Sequence, residues 1–403
     1  MKLSKLVAAM LGGACVAGAG SIQAASWQAG DWTLGLGGNI NAFYTVTSCD
    51  AGDLNSGGTT LAGLACGTAG DSHSVSNGLL PASLNFSATT HQEGYDIGAN
   101  INVYYGLASS DNSNTGSNGD ALAFSSVDAR QVYLTFGNAN MGTITMGRNF
   151  GLFALDAILN DISLVGAGPS FSASDPGHTT LGGLGYGYPY TDRLAQINWT
   201  LPTSGGFSAT VGVFNPLDGV EVGGGPLART KAAGHANPGF HGKVGYAWQG
   251  STPGLISATY LMQDVDLTTG ASSQIEGWDI FGKVSVSDFD LAGYYFQGDG
   301  MSTLALGGLV FPGFDQTTGQ AEESNGYYLQ GSYKFGKTKV GINWGESEQK
   351  KISPVENTRV TLGVYHNLTS SLTLMAEYSD MESKTSVGSD ETNAFNLGAI
   401  LFF

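Results

Sequence analysis

Phe395-Asn396-Leu397-Gly398-Ala399-Ile400-Leu401-Phe402-Phe403 closes the chain, and it alternates. Phe395, Leu397, Ala399, Leu401 and Phe403 fall on one side of a two-residue period, and Asn396, Gly398, Ile400 and Phe402 fall on the other. Such a period running to the last residue is unusual for a soluble domain, where termini fray and an apolar edge strand invites aggregation. A closed transmembrane β-barrel resolves the difficulty. Its last strand pairs with its first, so the edge disappears and the apolar face meets lipid.

The other end fits export. Lys2 and Lys5 precede an apolar stretch, Leu6 to Gly20, and Ala24-Ala25 supplies small residues for cleavage. This reads as a signal peptide over residues 1–24, too short and too rich in glycine to span a bilayer. Lipidation at Cys15 is the weaker alternative, because Gly12-Gly13-Ala14-Cys15 lacks a large aliphatic residue at its start. Removing the leader leaves Cys49 and Cys66 within one glycine-rich segment. In an exported protein they read as a local disulfide, with two free loop thiols as the alternative.

Composition excludes other classes. Charged residues make up 12% and hydrophobic residues 41%, and no later run approaches the roughly 20 apolar residues of a membrane helix. Glycine is abundant at 62 and proline sparse at 11, unlike helix-rich enzymes or low-complexity disorder. Loss of Lys2 and Lys5 with the leader takes the formal net charge from −17 to −19, which argues against nucleic acid as a partner. The same balance suggests a mild preference for cations, discounted because distant acids are screened within a Debye length of about 8 to 10 Å.

Period two recurs throughout. Trp32, Leu34, Leu36, Ile40, Ala42, Tyr44 and Val46 alternate with Thr33, Asn39, Asn41 and Thr45, and Tyr95 to Leu107 repeats the pattern. The wet face carries Asn, Thr, Ser and Gly rather than the Lys and Glu of a soluble β-sandwich. Short links fall near 91–94, 138–141, 202–206, 250–254, 287–288, 336–338 and 367–370. Long polar links fall at 47–77, 109–125, 149–190, 216–239, 265–274, 298–323, 347–356 and 382–391. The expected fold is all-β, a transmembrane antiparallel barrel of about sixteen strands with both termini periplasmic. The barrel domain spans residues 25–403.

The longest link, about 149–190, needs a reason for its length. It lies between Ala129-Arg130-Gln131-Val132-Tyr133-Leu134, followed by Met141-Gly142-Thr143-Ile144-Thr145-Met146-Gly147-Arg148-Asn149-Phe150-Gly151, and Thr191-Asp192-Arg193, followed by Trp199-Thr200-Leu201-Pro202 and Gly205-Gly206-Phe207. In these motifs, their order and the terminal Phe403, the whole chain resembles the general diffusion porins of Gram-negative outer membranes. That resemblance implies a homotrimer of sixteen-stranded barrels in outer-membrane lipid and lipopolysaccharide, with a third loop folded into the lumen. It also implies recognition of Phe403 by the barrel-assembly machinery, and arginines on the wall facing acids on the loop. The matching positions are Arg130, Arg148 and Arg193, with Asp156 and Asp161 on the loop. Two departures weaken the implied field: Val165 stands where a second loop acid is expected, and Pro81-Ala82-Ser83-Leu84-Asn85 carries no wall arginine. Strict alternation turns all three arginines outward, and strand-end bulges are the route by which they would turn inward.

Alternation alone places Lys243, Lys283, Asp279, Arg359 and Glu377 on the polar face as further lumen residues, which either bias ion passage or brace the wall. Tyr186, Tyr188 and Tyr190 form either an aromatic track or packing contacts. Asp111 to Gly116 opens like a calcium loop but has Leu122 where a bidentate Glu belongs, so it reads as a solvated turn. The histidines form no metal spacing or nucleophile pair, and no cofactor or enzyme activity is expected. The expected function is passive diffusion of small hydrophilic solutes and ions. A substrate-selective channel, or a non-transport barrel acting as adhesin or lipid hydrolase, is the alternative. Deleting Phe403 is expected to lower the amount of heat-modifiable barrel in the outer membrane while export continues. Undiminished assembly in membrane fractions would remove the terminal aromatic from the assembly signal.

Overall fold

The computed structural model describes residues 25–50, 60–65, 71–107, 127–169, 180–216, 232–234, 236–267, 269–303, 308–315 and 318–403. The leader, Cys66 and the Asp111–Gly116 turn lie outside them. Sixteen long strands make the barrel: β1 Trp32–Asp50, β2 Ala82–Gln92, β3 Tyr95–Tyr105, β4 Val127–Asn138, β5 Gly142–Phe150, β6 Arg193–Thr200, β7 Phe207–Phe214 and β8 Gly239–Trp248 form one half. The other half is β9 Gly254–Leu267, β10 Ser272–Val286, β11 Phe289–Asp299, β12 Glu323–Phe335, β13 Thr338–Gln349, β14 Val355–Asn367, β15 Leu372–Thr385 and β16 Gly388–Phe402. Each strand pairs antiparallel with the next.

Closure falls on the stretch quoted first. β16 pairs with β1, Asn39 opposite Phe402 and Asp50 opposite Glu391. Gly38 and Phe403 then exchange both main-chain hydrogen bonds, at 2.9 and 3.1 Å. Where β16 runs out, the short strand Ala25–Ala29 takes over along Trp32 to Leu36. The ladder therefore closes on itself, which is the condition for a sheet in hydrocarbon.

Burial follows the alternation. Phe395, Leu397 and Leu401 are exposed, whereas Ala394, Asn396, Ile400 and Phe402 are buried. Tyr44, Ile101, Trp199, Ile280, Leu329 and Leu362 repeat the exposed apolar face on other strands. Asn41, Asn100, Asn198, Thr259, Asn343 and Thr361 repeat the buried polar one. An apolar outer surface and a polar inner one are what a strand needs with lipid on one side and water or protein on the other.

Three links differ from expectation. The links expected at 265–274, 347–356 and 382–391 are shortened, because β9, β13, β15 and β16 continue through residues that are polar on both faces. Asp264, Asp266, Glu348 and Glu382 hide these strand ends from a search for hydrophobic alternation. The 350–354 turn is held by one buried carboxylate. Glu322 accepts the N–H groups of Lys350, Lys351, Ile352 and Ser353 at 3.0, 2.6, 2.9 and 2.9 Å. A short helix, α1 Leu61–Leu64, packs on β15 and β16, its Ala62 N–H donating to Ser383 Oγ at 3.0 Å. No helix among the described residues is long and apolar enough to cross a membrane.

The link between β5 and β6 contains α2 Leu155–Asn160 and a 3-10 turn, Ile162–Leu164. It shares one hydrophobic core with the barrel's inner face. Phe153 meets Phe296 edge-on at 6.5 Å between ring centroids, and Tyr188 meets Tyr294 and Tyr328 at 6.5 and 5.8 Å.

Candidate functional site

Every one of the five charged residues that alternation placed on the inner face touches the β5–β6 link. Asp279 Oδ2 accepts the Ala154 N–H at 2.7 Å and the Tyr294 hydroxyl at 3.2 Å. Ala154 sits in the left-handed region at φ 56° and begins α2 without a side-chain cap of its own, so the wall supplies a carboxylate there. Lys243 Nζ pairs with Asp156 at 2.6 Å, and Ser257 Oγ donates to the same carboxylate at 2.5 Å. Lys283 Nζ donates to Asn160 Oδ1 at 3.3 Å. Glu377 accepts from the N–H groups of Ala167 and Gly168 at 2.8 and 2.9 Å, and from the Tyr365 hydroxyl at 2.5 Å. Arg359 donates to the Gly182 carbonyl and to Asn343 Oδ1, and it stands 3.8 Å from Asp161.

Asp161 organises the link internally. Its Oδ1 accepts from the N–H and hydroxyl of Ser163 at 2.9 and 2.8 Å, and its Oδ2 from the Gly183 N–H and the Tyr188 hydroxyl at 2.9 and 2.6 Å. The side chains of Asp161 and Arg359 are both fully buried. Burial first, and then the Asp161 charge, hold the Tyr188 phenol well above the usual tyrosine range, so it remains a donor. The arginine beside Asp161 is Arg359, at 3.8 Å, rather than Arg130, Arg148 or Arg193. Tyr186, Tyr188 and Tyr190 are buried as well, which makes them packing contacts rather than an open aromatic track.

Backbone meets backbone where the link crosses β12 and β13. Gly187 has φ 113°, and a Cβ there would sit 2.4 Å from the Tyr327 carbonyl oxygen. A Cβ on Gly345 would sit 1.9 Å from the carbonyl oxygen of Tyr186. Glycine is required on both sides of this contact.

The arginines divide. A register shift between Asn102 and Val103 sets Gln131 opposite Asn102 and Ala129 opposite Val103, leaving Arg130 as the extra residue of a bulge. Its parity breaks and it turns inward, buried, with Nε 2.9 Å from Asp128 and its guanidinium 4.7 Å above the Tyr104 ring. Arg193 follows Asp192, which has φ 54°, and is buried against Tyr190 at 5.2 Å from the ring. Arg148 is different. No bulge interrupts β5 there, and Arg148 lies opposite Val132 and Ala195 on the exposed outer face, so it does not join the other two.

Several partners escaped sequence reading. Gln330 accepts the Ile162 N–H at 2.7 Å and donates to the Asn160 carbonyl at 2.8 Å. Asn396 donates to the Gly168 carbonyl at 2.8 Å. Both lie on the inner parity of their strands, but neutral amides there look like any wetted wall residue. On the opposite wall Asn102, Gln131 and Asn149 form a line of amide hydrogen bonds at 3.3 and 2.9 Å. Among the described residues no cluster could hold a metal ion.

Replacing Asp161 by Asn removes the charge and one of the two acceptor oxygens, loosening contacts that each contribute about 1.5 to 3 kcal/mol when charge-assisted. The expected result in single-channel recording is a noisier, larger conductance at an unchanged reversal potential. A quiet current with a shifted reversal potential would place Asp161 in contact with water.

Solved structures share this architecture. The outer membrane channel DcaP of Acinetobacter baumannii superposes with a TM-score of 0.71 at 15% identity, over 94% of this chain and 100% of that one. An anion-selective porin from Comamonas acidovorans gives 0.60 at 16%, over 92% and 100%. The trimer form of OmpT from Vibrio cholerae gives 0.54 at 13%, over 93% and 100%. No curated protein sequence matches. The family profile described as Gram-negative porin matches residues 7–386, and with the closed barrel it makes this chain a member of that family, an outer-membrane channel and not an enzyme.

Proposed function

We propose that the channel passes ions and small hydrophilic solutes passively, and that the β5–β6 link, about 149–190, lies in the lumen as its constriction. The observation that carries this reading is the series of contacts from Lys243, Asp279, Lys283, Arg359 and Glu377, on four strands between β8 and β15, to that one segment. A segment held along so much of the inner face leaves the water path between its free edge and the wall of β2 to β7. Asp156 and Lys243 keep partial exposure at that edge, at 15% and 21% of their side chains. Arg130 and Arg193 stand on the facing wall, and Arg148 is left out of the constriction.

The remaining family features follow as part of the same proposal. The barrel is a homotrimer in outer-membrane lipid and lipopolysaccharide, with both termini on the periplasmic side and residues 1–24 removed on export. Cys49 and Cys66 form a disulfide. In support, Asp71 accepts from Ser48 Oγ and the Cys49 N–H at 2.9 and 3.3 Å, bringing the returning chain back beside Cys49. Burial of the three tyrosines takes away the structural basis for a substrate-selective aromatic track.

In planar bilayers the mature protein is expected to give ohmic steps that rise in proportion to KCl concentration, without block by micromolar solute. Saturating conductance with solute block would favour a selective channel, and absence of conductance would refute the pore.

A further inference from the structure

Part of the chain's negative charge faces away from the lumen. Asp266, Glu276, Asp299, Glu356, Asp380 and Glu391 are exposed at outward-facing positions, at the strand ends farthest from the 287–288 and 336–337 turns. The inner face near those turns carries three lysines alongside Asp290. Lys283, Lys334 and Lys339 have inward parity on β10, β12 and β13, the first and last half-buried and Lys334 exposed. Lys339 Nζ lies 4.9 Å from the ring centroid of buried Tyr365, which fixes its direction.

Lys334 and Lys339 are direct cross-strand partners, and like charges so placed are destabilising. A wall built for stability alone would oppose one of them with an acid. Among the described residues no carboxylate pairs with any of the three lysines. Lys283 and Lys339 are near enough to repel one another, and the acids whose charges reach Lys339 each accept from other donors: Asp290 from Ser285 Oγ, Glu377 from Tyr365 and the Ala167 and Gly168 N–H groups, and Asp161 from Ser163, Gly183 and Tyr188. From the link above them, the Asn160 amide oxygen accepts from Lys283.

We propose that Lys283, Lys334 and Lys339 form an attracting site for small oxyanions, carboxylate or phosphate, and give the channel anion preference despite its negative total charge. This rests on the pore reading above. The lysines act on the water path at short range, while the outer acids lie across the wall and are screened by salt.

The test is reversal potential in a KCl gradient across bilayers, repeated with millimolar inorganic phosphate on one side, far above the micromolar range in which a selective channel would be blocked. Wild type is expected to pass chloride in preference to potassium, with phosphate reducing the chloride current. Combined K283Q, K334Q and K339Q should lower the chloride-to-potassium ratio at least about two-fold and relieve the phosphate effect. K350Q with K351Q, outside the site, should leave both unchanged. Should the triple variant fail to insert, K334Q alone, at an exposed strand end, must still lower the ratio. Open wild-type channels that prefer potassium, or lysine variants indistinguishable from wild type, overturn the site while leaving the pore intact. Absence of any conductance would overturn the pore and this site with it.

Discussion

In hydrocarbon an unpaired backbone N–H or C=O has no water to turn to, and each costs several kcal/mol. A sheet there must close. Every other feature of this protein follows from that demand, beginning with the junction where β16 and the Ala25–Ala29 strand share the edge of β1 and Phe403 binds Gly38 through both main-chain groups. Once the ladder is complete, the strands need no help from the interior to hold the barrel. The inner face is free to carry charge.

That freedom is used to position one segment. Free backbone groups of the described link residues, 151–169 and 180–190, would be as unfavourable against a buried wall as in any core, unless wall side chains satisfied them. Asp279, Glu377 and Gln330 accept N–H groups from the link, while Arg359 and Asn396 donate to its carbonyls. The buried Asp161–Arg359 pair contributes little net stability of its own, since desolvation offsets attraction. Its effect is directional: each partner is also fixed by hydrogen bonds, so the pair sets where the link meets β14.

Much of the barrel was legible in the sequence because a two-residue period, apolar outward and polar inward, is forced by lipid on one side. The polar extensions of β9, β13, β15 and β16 were not, since above the bilayer neither face needs to be apolar and Asp264 or Glu382 looks like loop. Parity also found Lys243, Asp279, Lys283, Arg359 and Glu377 on the inner face, but not what they bind. Asp161 and Arg359 are brought together only by closure of the barrel, and no local pattern encodes that contact. Arg130 turns inward through a bulge that one sequence does not reveal, whereas Arg148 obeys the plain count.

The central claim is that wall side chains, together with Asp161 of the link itself, hold the β5–β6 link as firmly as the ladder holds a strand, and hydrogen exchange of the detergent-solubilised protein tests it most directly. The main-chain amides of Ala154, Ile162, Ala167, Gly168 and Gly183, all bonded to carboxylates or to Gln330, should exchange as slowly as those of β12. Exchange of these five at the rate of Gly250, in the exposed turn between β8 and β9, would contradict the account.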